Sequence, residues 1–300
     1  MVAANLDECT KFLLLGDGKQ LAPRVPMMEN NIGFTRELGQ SIMEYLEANH
    51  WPTALLNLNR RGAPSINEIP SMLYYYGRIK DAPCTQNSHP KTATYIEFFK
   101  KLFPGYSGNI PNIYIDVRGE GEIKDEVTGS YVNMSTAAVI VSIVEKGILE
   151  KVFAAEDIPH ITHYTAQMKV FRHAYAQLAA QFPDAGFENI RIVSTDSIQG
   201  DQGSCPFVNT VRTTHLGFTN NIGRNVVAKT RAQDFQVVVD NVHRLGDNEK
   251  MHRQPYMRQA FDAAKKKKVC VQVKATGDYG YLMDHRYVHA RGILDRGNAR

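Results

Sequence analysis

The sequence predicts an α/β domain with a mostly parallel sheet, and two observations carry that prediction. Short apolar runs of strand length alternate with stretches of helical periodicity, which is the order that builds strand–helix–strand units. The composition, 43% apolar and 22% charged over 300 residues, is that of an ordinary globular chain with a core large enough for one or two domains.

The elements follow in order. Residues 11–16 (KFLLLG) read as a buried strand ending in a Gly/Asp turn. Residues 37–48 have helical spacing, with Ile42, Tyr45 and Leu46 on one stripe, and 54–58 form a short apolar run of strand type. Residues 66–76 read as a helix limited by Pro70. Residues 82–110, with interspersed Pro, Asn, Ser and Gly, read as a surface connection. A strand at 112–117 is followed by a loop at 118–121 and a long helix at 133–146, with Asn133 or Ser135 as its cap. A strand at 158–162, a helix at 166–181, strands at 190–195 and 207–211, a helix at 221–228 and a strand at 235–240 complete the series. Residues after 245 break the pattern, and the sequence assigns them no fold. In such a sheet the functional residues belong in loops at the carboxyl ends of strands, here after Leu15, Leu58, Ile161 and Thr195.

Several classes are excluded. No apolar run approaches the roughly 20 residues of a membrane span. Asp7 and Glu8 interrupt the amino-terminal stretch before any signal-peptide core, so the expected location is intracellular, cytoplasmic or nuclear. Cys9, Cys84, Cys205 and Cys270 are too scattered for a zinc site or disulfide framework and read as four buried thiols. Residues 246–300 carry twelve Lys/Arg against six Asp/Glu, so a near-neutral body ends in a basic tail that suits a polyanion. The four lysines 265–268 also suit a plain solvated surface.

Five motifs carry the chemistry, and each alone is also ordinary turn or capping chemistry. They are LLLGDGKQLAP at 13–23, LNLNRRGAP at 56–64 with IPSMLYYYGRIKD at 69–81, ITHYTAQ at 161–167, STDSIQGDQG at 194–203 and RNVVAKTRAQ at 224–233. In this order they resemble motifs III, IV, the I-T-P-Y-x-x-Q block, V and VI of superfamily 1 helicases. The group is that of the up-frameshift helicase of nonsense-mediated RNA decay. The resemblance implies a RecA-like P-loop NTPase fold with helices on both sheet faces. It divides the chain into residues 1–35, a remnant of a first RecA-like domain bearing motif III, and residues 36–245, the second RecA-like domain. Residues 246–300 remain as a basic extension.

The resemblance further implies ATP with Mg2+ in the complete enzyme, and RNA or single-stranded DNA across the domain tops. By the family pattern Gln20 would sense the γ-phosphate, and Arg61 and Arg231 would act as arginine fingers. Guanidinium groups so placed stabilise charge that spreads over the equatorial oxygens during phosphoryl transfer. Asp17, Arg60, Gly200 and Gln202 would line the nucleotide, and Thr162, Tyr164, Ser194 and Thr195 the nucleic acid.

The departures set limits. Arg60 replaces the stacking Tyr, Gln202 replaces a Glu, Val226 an Asn, Lys229 a Leu, and Gly62-Ala63 a Met-His pair. No Walker A motif occurs in the 300 residues, and Asp7-Glu8 is either a Walker B remnant or an unrelated acidic pair. The chain alone is therefore expected not to hydrolyse ATP, and a Walker-A-bearing first domain on another segment is an expected partner. The alternative is a non-catalytic nucleic-acid-binding protein derived from a helicase.

Overall fold

A computed structural model describes residues 13–22, 39–214, 217–246, 256–275, 277, 279 and 282, in two units that divide after Leu56. In the first unit, helix α1 (Ile42–Ala48) begins at Ser41, whose hydroxyl accepts from the Glu44 N–H while the Glu44 carboxylate accepts from the Ser41 N–H. This reciprocal box satisfies two otherwise orphaned donors. The expected apolar stripe is not buried: Ile42 and Tyr45 are 61% and 54% exposed. The expected strand at 11–16 is irregular over its described part from Leu13 on, and Lys11 and Phe12 lie outside the described residues. Asp7, Glu8 and Cys9 also lie outside them.

The second unit opens with β1 (Leu58–Asn59), α2 (Glu68–Tyr74) and β2 (Lys80–Asp81), and β1 and β2 pair in parallel. Helix α2 contains Pro70 at its third position, where the missing N–H would have had no partner inside the helix. There follow α3 (Lys91–Leu102), β3 (Asn112–Gly119), the antiparallel pair β4 (Ile123–Lys124) and β5 (Tyr131–Val132), and α4 (Met134–Leu149). Next come β6 (His160–Thr162), α5 (Thr165–Gln181), β7 (Ile192–Ser194), β8 (Phe207–Asn209), α6 (Ile222–Lys229) and β9 (Gln236–Asp240). Helix α7 (Tyr256–Lys266) and β10 (Cys270–Ala275) close the unit. The main sheet is entirely parallel, in the order β10-β3-β9-β8-β6-β7.

Helices cover both faces. Tyr114 of β3 meets Phe261 of α7 on one side, while Gly119, five residues on and so facing the other way, lies against Ser135 of α4. Strands covered on both faces read as near-continuous apolar runs, which is why β3 and β9 are legible in the sequence. Helix α4 is buried almost all round, and Asn133 caps it by accepting from the Thr136 N–H.

In this unit one expectation is corrected, at 82–110, and an unassigned stretch takes up a fold. The expected surface connection at 82–110 holds α3, whose Tyr95, Phe98, Phe99 and Leu102 fall at i, i+3, i+4 and i+7 and are buried. Phe99 stacks on Phe235 at 4.9 Å between ring centroids, in a cluster with Phe98 and Phe153. Residues 256–275, to which the sequence assigns no fold, supply a helix and an edge strand of the main sheet. Met257, Ala260, Phe261 and Ala264 form the buried stripe of α7, and β10 pairs with β3 through all six of its residues. At residue scale, β3 runs on to Gly119, two residues into the expected loop. Of the thiols, Cys205 is buried, Cys270 half-buried and Cys84 exposed. Among the described residues no helix is long and apolar enough to cross a membrane.

Candidate nucleotide and nucleic-acid edge

Because the main strands are parallel, the loops after Thr162, Ser194, Asn209 and Asp240 all leave from one edge of the sheet. Two clusters form in the second unit.

The first cluster gathers three loops distant in sequence. Asn59 folds the first one: its Oδ1 accepts from the Arg61 and Gly62 N–H groups at 3.2 and 3.0 Å, and its Nδ2 donates to the Gly62 carbonyl and the Asp81 carboxylate. The Ala63 N–H then donates to the Gln233 carbonyl. Gly62 is required here, since a Cβ would lie 2.7 Å from the Ile66 side chain and 3.1 Å from the Ala232 carbonyl. Arg61 Nη2 donates to the Thr230 carbonyl. Arg231 donates from Nη2 to Thr230 Oγ1 (3.0 Å), from Nε to the Val227 carbonyl (3.0 Å) and from Nη1 to the Asp201 carbonyl (3.4 Å). The Gly203 N–H donates to the Arg231 carbonyl, and the Gln233 N–H to the Gly203 carbonyl. Segments 59–63, 200–203 and 230–233 are thereby one assembly.

Within it Arg60, Arg61, Gly200 and Gln202 are exposed, and Gly200 takes a positive φ of 87°. Arg231 is 2% exposed, with its guanidinium turned inward. Asp201 is paired with Arg191, and the Gln202 N–H and Arg191 hold its carboxyl below the usual range.

The second cluster holds the residues expected against nucleic acid. Thr162, Tyr164 and Thr195 are all buried, and Ser194 is half-buried. Thr195 Oγ1 lies 2.8 Å from His163 Nδ1. Burial, then the nearby Arg224 cation, lowers the His163 pKa to about 3, so this ring is neutral and its hydrogen bond persists at ordinary pH. Arg224 grips Asp196 with two bonds of 3.0 Å, fixing the loop after β7 against α6. Ser194 and Ser197 hydrogen-bond each other in a tight turn.

Asp17 and Gln20 belong to the first unit and bond to one another. Gln20 Nε2 donates to Asp17 Oδ2 at 3.1 Å, while Asp17 Oδ1 accepts from the Lys19 N–H.

Some organising residues are not anticipated by the motifs. Glu122 accepts from Arg212 Nε, from both the N–H and Oγ1 of Thr213, and from the same two groups of Thr214, tying the loops after β3 and β8 together. Arg212 lies 3.7 Å over the Tyr131 ring, which meets Tyr164 edge-on. Lys229 is fully buried and donates to Asn225 Oδ1 and the Tyr74 hydroxyl; desolvation lowers its pKa to about 8. The only sequence signal for it is a lysine at an apolar position of motif VI.

The donor chemistry of the first cluster fits a polyphosphate, because planar guanidinium forks match phosphate oxygens. Among the described residues no group of three or more His, Cys, Asp or Glu could hold a metal ion. What the first cluster offers such a ligand is the Arg60 and Arg61 cations.

A family model described as "AAA domain" matches residues 38–243, more than half of the chain. An uncharacterized ATP-dependent helicase of Methanocaldococcus jannaschii is 27% identical over 237 residues, covering 78% of this chain and 33% of that protein. A regulator of nonsense transcripts 1 homolog of Neurospora crassa is 27% identical over 247 residues, covering 81% and 21%. Helicase SEN1 of Saccharomyces cerevisiae is 25% identical over 297 residues, covering 96% and 12%. The chain therefore spans a third or less of these relatives.

Proposed function

The chain belongs to the AAA-domain family, as an up-frameshift-like helicase domain of superfamily 1, and on that premise we propose that it is the nucleic-acid-gripping, arginine-donating part of an ATP-dependent helicase. ATP with Mg2+, bound chiefly by a Walker-A-bearing domain on another segment, supplies the transferable phosphoryl group. The observation that carries the reading is the convergence of two guanidinium groups on Thr230: Arg61 on its carbonyl and Arg231 on its hydroxyl. Arg61, exposed and already anchored, is the cation turned toward an incoming phosphate. Arg231 stands behind it as a second positive charge, held by its weakest bond to the 200–203 loop. Gln20, with Asp17 orienting its amide, is the γ-phosphate sensor carried by the first unit.

Single-stranded RNA or DNA lies along the edge formed by the ends of β6 and β7. There Ser194 presents a hydroxyl, while Thr162, Tyr164 and Thr195 shape the loops from beneath. No Walker A lysine occurs in the sequence to compensate charge on the β- and γ-phosphates, so the chain alone turns over no ATP.

Two assays on the full chain test this. Phosphate release from Mg-ATP, with and without single-stranded RNA, stays at the level of a Gln20→Ala, Arg231→Ala control. A fluorescent oligonucleotide binds with an affinity that falls steeply with salt, as counterion release requires. Turnover above the control, or absence of salt-sensitive binding, overturns the proposal.

A further inference from the structure

The corner where β3, β9 and β10 end lies on the same edge of the sheet as the loops after β6 and β7, and its charge takes no part in either cluster. Arg118 of β3 and Lys274 of β10 are register partners on neighbouring strands, so they point to the same face. Lys274 is exposed and the Arg118 side chain is 36% exposed. Arg244, exposed, is anchored where β3 ends, with Nε donating to the Gly119 carbonyl at 3.2 Å. Arg258, near the start of α7, donates from Nη1 to the Val242 carbonyl at 2.9 Å. The Val242 N–H in turn donates to Asp116. Four cations thus meet at three strand ends.

Among the described residues little opposes them. Asp116 is fully buried and bound to Arg118 Nη2 at 2.8 Å, and Glu120 is the exposed carboxylate of the loop that follows β3. Arg118 Nε has no hydrogen-bond partner, so part of this guanidinium fork lacks an acceptor.

We propose that this corner is a second phosphate-binding patch, which extends the path of a single-stranded nucleic acid along the carboxyl edge of the sheet as far as β10. The inference rests on the reading of the β6 and β7 ends as a nucleic-acid surface. The sheet order puts β10 four strand spacings from β6, about 19 Å at roughly 4.8 Å per spacing. A small anion could occupy one site only; a linear polyanion tracking the edge meets both. Holding Arg244 through Nε and Arg258 through one terminal nitrogen on backbone carbonyls lowers the entropy lost when they close on a phosphate, and leaves their other guanidinium donors for it.

The test is fluorescence anisotropy of a labelled 20-nucleotide poly-U strand, titrated with the full chain between 50 and 300 mM KCl. The double variant Arg244→Gln, Lys274→Gln is compared with Lys265→Gln, Lys266→Gln. The second pair removes the same charge at the other end of α7, where Lys265 and Lys266 are exposed. The corner variant should raise Kd about three- to tenfold at 100 mM salt. It should also reduce the slope of log K against log salt by about 1.4, or about 0.7 for each phosphate no longer neutralised. The control should leave the slope unchanged. Lys274→Gln alone, at an exposed strand position, should reduce the slope by about 0.7 and serves if the double variant fails to fold. Equal effects of the two pairs, or no effect of either on a strand the wild type binds, overturn this inference and leave the wider reading standing. Absence of wild-type binding overturns both.

Discussion

In the first unit Leu13, Leu15 and Leu56 are 81%, 78% and 84% exposed, while in the second Phe99, Ile113 and Val237 are all 0% exposed. Both stretches are rich in apolar residues, but among the described residues only the second brings opposite faces together. Residues from Asn57 on supply a sheet and helices for both of its faces, so most of their apolar side chains find partners, while Tyr76 and Val127 on the surface stay exposed. The described part of the first unit is a single helix and a turn, which can cap and hydrogen-bond well yet enclose nothing. An element can therefore be locally well formed and still add little to the stability of the whole, since most helical stability comes from packing.

The difference can be broken or sharpened by substitution. Phe99→Ala, in the aromatic cluster, should cost about 3–5 kcal/mol in urea unfolding; a loss under about 1 kcal/mol would mean that the second unit is not tightly packed. Asp240 offers a second probe. Burial raises its carboxyl from 3.8 to about 7, against its bonds from Thr210 and the pull of Lys229. The folded state thus holds a proton that the unfolded chain has released, and stability should fall as pH rises from about 4 to about 7. One proton gives at most about 1.4 kcal/mol per pH unit, so a loss of about 3 kcal/mol over the window is expected. Asp240→Asn should flatten that slope; an unchanged slope would assign the pH dependence elsewhere.

The first unit should respond differently. Ser41→Ala removes one half of the capping box, worth about 1 kcal/mol to helix α1. The expected readout is faster amide exchange at residues 44–48 with no shift of the main unfolding transition. A shift of that transition would show the two units to be one cooperative body. Smallest of all, Leu56→Ser should change unfolding free energy by less than about 0.5 kcal/mol.

Legibility in the sequence follows the same line. The strands at 112–119 and 236–240 and the helix at 134–149 are readable because sustained apolar runs have no other use. Helix α3 is hidden because Pro90 and a polar lead-in resemble a loop, although Tyr95, Phe98, Phe99 and Leu102 carry its period. Strand β10 is hidden because Gln272 and Lys274 alternate with Val271 and Val273, the pattern of an edge strand with one open face. The run LLLG misleads in the other direction: its apolar residues are irregular, and among the described residues no strand pairs with them.

For the site, the motifs locate the loops, and residue types alone locate their arginines. The burial of Arg231 is not readable, since two of its three acceptors are the backbone carbonyls of Val227 and Asp201, the latter 30 positions away. Nor is the Glu122 clasp, which joins residues 90 or more positions apart.

The most direct measurement is reconstitution. The chain is mixed with a separately produced, Walker-A-bearing first RecA-like domain from one of the relatives, and Mg-ATP hydrolysis is followed in the presence of single-stranded RNA. Turnover is expected only in the mixture, and Arg61→Ala or Arg231→Ala should reduce it by about 1,000-fold or more, to the level of the first domain alone. Turnover that is indifferent to both arginines would contradict the assignment of this domain as the donor of catalytic cations.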